Sequence, residues 1–381
     1  MTTPPTHLAP GWAWLQALAQ PQQALAWTLP EWERVVRLAR RLRLLARLAQ
    51  SLKAQGLLDQ VPPQARAHLM AELRVSDFRS NAMTWVLERV ATTLGPVDHP
   101  LVLLKGGAYL GQDLPNAAGR LPSDVDILVP LANIIAVQAA LLQAGWEEPQ
   151  LDEHDQHYYR AWSHELPPLQ HPLHPLELDL HHNILPPVAK THVDVAPLLA
   201  RLLPSRWPAW QVFHPIDQVL HCAAHLFLDP EPVDRLRDIV DLDALMRHFG
   251  AAPAGHDFWA ELAPRAAALG LTEPLALAAH FSVAWLGTPI PGQVAAQIQR
   301  QGPGHFKRWW LTGLFTAVLT PTEPDAMPSA WHKLAAQVVL ARYHQQRLPW
   351  RLLLPHLWRK MKKRRADAAA ALVPPQTDVK R

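Results

Sequence analysis

The stretch that most constrains this chain is Leu101 to Pro130, LVLLKGGAYLGQDLPNAAGRLPSDVDILVP. Its apolar start, Leu101 to Leu104, predicts a buried strand. Lys105-Gly106-Gly107 predicts a turn, and Ala108, Tyr109 and Leu110 predict a brief helix. After a loop bearing Pro, Asn and Gly, and after Arg120, a second strand is expected over Ser123 to Val129. Side chains alternate faces along a strand, so Asp124, Asp126 and Leu128 share one face, with Val125, Ile127 and Val129 on the other. Two carboxylates on one face of an apolar strand are costly unless a positive charge neutralises them. A divalent cation such as Mg²⁺, which takes one or two protein carboxylates together with phosphate oxygens, meets that need. The Gly-Gly turn upstream lets backbone N–H groups approach the same phosphates.

Downstream, Leu131 to Ala144 predicts an amphipathic helix ended by Gly145. Two further strands are expected, His157 to Trp162 and Leu176 to Ile184, separated by a loop rich in Pro and His. The resulting β-α-β-α-β-β order implies an α+β fold, a small mixed β-sheet backed by helices. In Leu176-Glu177-Leu178-Asp179-Leu180-His181-His182 the period of two sends the leucines to the core and Glu177, Asp179 and His181 to the opposite face. Asp-x-Asp in an apolar strand, about 17 residues after Gly-Gly and about 50 before a third strand carboxylate, is far more specific than Asp-x-Asp alone.

Lys-Gly-Gly followed by Arg-x-x-Ser-Asp-Val-Asp-Ile-Leu-Val resembles the polymerase-β-like nucleotidyltransferase superfamily. Within it, the nearest likeness is to bacterial proteins labelled only as uncharacterised nucleotidyltransferases. The resemblance is sharpest over residues 100–185 and weaker to 250. It implies a nucleotidyltransferase core that moves an NMP from an NTP such as ATP to an acceptor hydroxyl, with pyrophosphate leaving. It further implies that Asp124 and Asp126 hold two Mg²⁺ ions on the triphosphate, and that a third carboxylate from a later strand serves the ion at the acceptor. The Asp-Leu-His piece selects Asp179 for that role, with Glu177 as runner-up. Lys105, Gly106, Gly107, Arg120 and Ser123 would then be nucleotide-binding. Where the superfamily has Gly-Ser in the phosphate turn, this chain has Gly106-Gly107 and lacks that hydroxyl. Arg237 and Asp241, in Arg-x-Arg-Asp-x-x-Asp, resemble a segment that helps form the nucleotide cleft in relatives.

The rest of the chain frames this core. Residues 1–95 are expected to form a helical N-terminal region, 96–200 the catalytic core, 201–365 a helical C-terminal region with a basic end, and 366–381 a disordered tail; residues 1–10 should fray. Ser76 to Leu94 predicts a helix leading into the central motif. Val35, Leu38, Leu42, Leu45 and Leu48 recur at helical spacing among Arg34, Arg37, Arg40, Arg41, Arg43 and Arg47. That arginine set is read as a solvated face, with an acidic or polynucleotide partner as the alternative. His221 and His225 share a helix face. With Asp238, Asp241 and Asp243 they are read as a structural polar network rather than a metal site, and His181 is left between orienting a substrate and bonding within its strand. Trp85, Trp259, Trp309 and Trp310, among 16 tryptophans, are assigned to core packing. The single Cys222 excludes an internal disulfide framework and is in keeping with a reducing cytoplasm. No apolar run reaches the ~18 residues of a membrane span. Arg359-Lys360-Met361-Lys362-Lys363-Arg364-Arg365, beside Trp and Leu, is read as a solvated helix end, with peripheral contact to the inner membrane surface or to nucleic acid as the alternative. Beyond transfer to an unknown acceptor (sugar, protein or RNA), two readings stay open: a non-catalytic scaffold in surface-polysaccharide biosynthesis, and a toxin-like transferase modifying tRNA.

Overall fold

The computed structural model of the chain describes residues 13–228, 233–251, 255–347 and 351. The basic run Arg359 to Arg365, the first ten residues and the tail 366–381 lie outside the described residues. The fold is α+β, as expected, with a small mixed sheet enclosed by helices.

Four helices open the chain: α1 (Ala13–Ala19), α2 (Leu29–Arg41), α3 (Leu45–Ala54) and α4 (Pro63–Leu94). Thr28 starts α2 through a capping box, its N–H donating to Glu31 Oε2 at 2.7 Å. Proline at the first turn suits α4, which runs unbroken from Pro63 and so contains the helix expected from Ser76 onward. The short strand β1 (Val102–Leu103) leads directly into α5 (Lys105–Gly111), so Lys105, Gly106 and Gly107 form a first helical turn. β2 (Asp124–Leu128), α6 (Ile134–Gln143) and α7 (Glu153–Trp162) follow, then β3 (Glu177–His181), α8 (Ala196–Leu199), β4 (Leu203–Pro204) and β5 (Gln211–Val212). A C-terminal helical set completes the fold: α9 (Pro215–Phe227), α10 (Leu236–Ala251), α11 (Gly255–Ala268), α12 (Thr272–Leu286), α13 (Gly292–Gln301), α14 (His305–Leu319) and α15 (Ala330–Arg347).

The sheet order is β3-β2-β1-β5-β4. β2 runs parallel to β3 and antiparallel to β1, and the parallel β1–β5 pair extends the sheet on the other side. Buried apolar residues form one continuous cluster from Trp32 and Leu48 through Val125, Ile127, Leu178 and Leu180 to Phe227 and Phe281.

Three expectations are corrected. His157 to Trp162 is the second half of helix α7, not a strand. Asp152 caps that helix by accepting from Asp155 N at 2.9 Å, and Tyr158 and Trp162 meet one turn apart with ring centroids 6.1 Å apart. The edge of β3 is instead paired by the next segment, through antiparallel bridges Glu165↔His181 and Leu169↔Leu178. The arginines are not one solvated face. Arg34 and Arg37 reach Glu323 and Asp325, but Arg47 is half-buried against Asp241, and Arg41 and Arg43 line the central cleft. Trp85, Trp309 and Trp310 are exposed, whereas Trp259 is buried. α14 turns Leu311, Leu314, Phe315 and Val318 inward, and Trp309 and Trp310 fall outside that stripe.

Candidate active site

The parallel register of β2 and β3 sets Asp124 opposite Glu177, Asp126 opposite Asp179, and Leu128 opposite His181. Asp126 is almost fully buried at 3% exposure, and its Oδ1 accepts from Lys105 Nζ at 2.7 Å and from His181 Nε2 at 3.1 Å. Lys105 adopts a left-handed backbone (φ 42°), a costly conformation for a side chain with a Cβ. That strain is spent where the lysine meets Asp126. Asp124 accepts from Ser123 Oγ at 3.2 Å. Glu177, by contrast, is exposed and accepts from Gln170 Nε2 at 2.6 Å.

Three carboxylates here share one ammonium and one imidazole. Burial pushes Asp126 up, but Lys105 and His181 outweigh it and hold its carboxyl well below the usual range. At Asp179 the balance is reversed: burial first, then the charge of Asp126, push it up to about 7 against the charge of His181. Asp124 is raised for the same two reasons. The cluster therefore lacks positive charge. Asp126, Asp179 and His181 also offer ligand atoms within 4.8 Å of one another. A donor set of buried carboxylates short of positive charge suits a divalent cation.

A cleft of about 370 Å³ opens beside the carboxylates, and Arg41, Arg43, Arg120, Arg235 and Arg237 line it together with Asp234 and Asp238. Arg43 and Arg237 are both shifted below the ordinary guanidinium value. Burial is the main cause, and the neighbouring arginines add repulsion. Asp234 pairs with Arg41 at 3.5 Å, and Asp238 with Arg235 at 2.7 Å and Arg237 at 3.6 Å, so these arginines are partly neutralised within the cleft.

Arg120 is delivered by a clamped loop. Gly119 (φ 71°) lies so close to α3 that an added Cβ would sit 2.6 Å from Ala46 O. Arg47 donates to Pro115 O at 2.5 Å and Ala118 O at 3.1 Å, and Ser76 Oγ donates to Arg120 O at 2.9 Å. The Arg120 guanidinium binds Asp241 Oδ2, and Arg47 approaches the other oxygen at 3.5 Å. Asp241 is thereby a buried lock behind the cleft.

The cleft brings together Lys105, Gly106, Arg120, Ser123, Asp124 and Asp126 from the residues named from sequence, and Asp179 joins through β3. Gly107 is buried against the Leu103 side chain. His221 is buried beside Phe213, and burial pushes its imidazole down to about 3. His225 meets Arg235 at 2.6 Å and lines the cleft. Among the described residues, neither histidine joins a metal-competent group of three. Sequence reasoning missed Arg43, Arg235 and Asp238 as cleft residues, and also His164 and Glu165 near His181. Arg43 sits in the break between α2 and α3, and no local pattern tells which way that break faces. The Arg235–Asp238 pair, Nε to Oδ2 at 2.8 Å, carried the one local signal, an i,i+3 opposite-charge spacing at a helix start.

A family model described as "Uncharacterised nucleotidyltransferase" matches residues 28–287, which take in α2 through α12 and the whole sheet. No curated protein and no solved structure matches the chain. Among the described residues no helix is long and apolar enough to cross a membrane.

Proposed function

The chain belongs to this uncharacterised nucleotidyltransferase family, and from that premise we propose metal-dependent transfer of an NMP from an NTP to an acceptor hydroxyl. One observation carries the reading. Asp124 and Asp126 share one cleft with Arg41, Arg43, Arg120, Arg235 and Arg237, and Asp179 stands opposite Asp126 on β3. A triphosphate with its divalent cation meets both sets at once, the cation at the carboxylates and the phosphate oxygens at the arginines.

Asp124, Asp126 and Asp179 would hold Mg²⁺, which when bound polarises the α-phosphate and acidifies the acceptor hydroxyl. Lys105 and His181 keep Asp126 ionised and aimed. Arg43, Arg235 and Arg237 neutralise phosphate oxygens, and Arg120, fixed by Asp241, stiffens that wall. The acceptor oxygen attacks the α-phosphorus in line, and the bond to the pyrophosphate oxygen breaks. Asp179 lies nearest in role to the acceptor and favours loss of its proton.

The Lys105–Asp126 contact favours a second reading, a non-catalytic scaffold, because an internal cation already neutralises the most buried of the three site carboxylates. Incubation with each α-³²P-labelled NTP and Mg²⁺ separates the two, and a labelled sugar, protein or RNA product identifies the acceptor. Nucleotide binding with no labelled product from any NTP would leave the scaffold reading.

A further inference from the structure

Beside the carboxylate cluster, His164 and Glu165 converge on His181, whose Nε2 is already bound to Asp126. The bridge between Glu165 and His181 fixes their backbones opposite each other, and His182 N donates to His164 O at 2.9 Å. Glu165 Oε2 then lies 3.5 Å from His181 Nδ1 and 3.8 Å from His164 Nε2. One ligand atom from each of His164, Glu165 and His181 falls within 4.8 Å of the others. His181 is 2% exposed, and its Nδ1 makes no hydrogen bond among the described residues. His164 approaches Glu165 through Nε2, while its buried Nδ1 has no partner among the described residues. Unpartnered buried imidazole nitrogens are costly and ask for a ligand.

The two nitrogens of His181 face different neighbours. Nε2 is engaged by Asp126 at 3.1 Å and Nδ1 faces Glu165 Oε2 at 3.5 Å, so Nδ1 is the atom left to a ligand. A metal-bound histidine characteristically donates its second N–H to a carboxylate in this way. Burial pushes the His164 imidazole down, toward the neutral form a ligand must have; at His181 burial is outweighed by Asp126 and Glu165, which push it up, so a metal there takes the place of the Nδ1 proton. His164 also lines a small cavity of about 50 Å³ shared with His225 and Tyr343, which Glu165 and His181 do not line.

We propose that His164, Glu165 and His181 bind a transition-metal dication of the zinc class, distinct from the Mg²⁺ assigned to Asp124, Asp126 and Asp179. Two imidazoles and one carboxylate suit such an ion, whereas Mg²⁺ prefers oxygen alone. Once bound, it fixes the His181 ring and so the orientation of Asp126. That last link rests on the proposed transferase reading; the metal site itself does not.

The test uses full-length protein stripped with chelator and titrated with Co²⁺ in excess Mg²⁺, reading the visible absorption of tetrahedral cobalt. One Co²⁺ per chain should bind, Zn²⁺ should displace it, and His164→Gln and Glu165→Gln should each weaken binding by at least about tenfold. Asp124→Asn should leave the band unchanged. No band in the wild type, or a band lost in Asp124→Asn and kept in His164→Gln, overturns the proposal. Should a variant misfold, X-ray absorption on the zinc-loaded wild type decides: a shell containing histidine nitrogens supports the site, and an all-oxygen shell refutes it. Neither readout depends on transferase activity.

Discussion

Asp126 and Asp179 stand directly opposite each other in the parallel pairing of β2 and β3, 53 residues apart in the chain. The same register pairs Glu177 with Asp124 at the strand entrance, where Glu177 is exposed and bound to Gln170. Of the two carboxylates on β3, only Asp179 shares a tight group with Asp126.

That difference sets the first expectation. Asp124→Asn and Asp126→Asn should each lower NMP transfer by roughly a hundredfold or more, because each removes charge where the transition state needs it. Asp179→Asn should retain Mg²⁺-NTP binding and lose the chemical step, whereas Glu177→Gln should be mild. NTP affinity and single-turnover rates distinguish them. An inactive Glu177→Gln beside an active Asp179→Asn would reverse the assignment.

Arg43 enters the cleft from outside the central motif. If it meets a phosphate, Arg43→Ala forfeits a charge-assisted bond worth about 1.5–3 kcal/mol, which weakens NTP binding roughly tenfold to a hundredfold. Isothermal titration with a non-hydrolysable NTP reads this directly. Arg34→Ala, on the outer surface of the same helix pair, is the control and should bind NTP normally.

Gly119 tests the clamp. A methyl group there would overlap Ala46 O, and positive φ adds its own cost, so Gly119→Ala should destabilise the fold by about 1–3 kcal/mol at least. It should also free the Arg120 loop. Chemical denaturation reports the first effect, and weaker NTP binding at full folding the second. An unchanged midpoint would mean that the loop and α3 do not meet this closely in solution.

Acid stability should depend on His221. Its imidazole is held neutral down to about 3, against an ordinary value near 6.5. Between those values the unfolded chain binds a proton that the native one refuses, so stability falls as pH drops from about 6.5 toward 3. His221→Gln should flatten that slope, by up to a few kcal/mol at the acid end. Urea midpoints measured at neutral pH and near pH 4.5 provide the comparison. Equal slopes in both proteins would remove His221 from the account.

The sequence by itself determined the two strands that bear the carboxylates, the face each carboxylate occupies, and the α+β class. Those features follow from a period of two within a few residues, and backbone geometry enforces it wherever the chain goes. Family resemblance also tied Lys105, Arg120 and Arg237 or Asp241 to the cleft; Arg237 lines it, whereas Asp241 lies outside its lining and pairs with Arg120. Tertiary structure alone decided the rest. Tyr158 and Trp162 fall into a helix because Asp152 caps it, and a cap outweighs weak strand propensity. Arg43 turns into the cleft, and Arg34 away from it, because packing of α2 and α3 on α4 sets the direction of one residue in the break between them. His164 and Glu165 reach His181 only because their segment pairs with the open edge of β3. Such long-range pairings are chosen by burial and register between segments, and no local window of sequence encodes them.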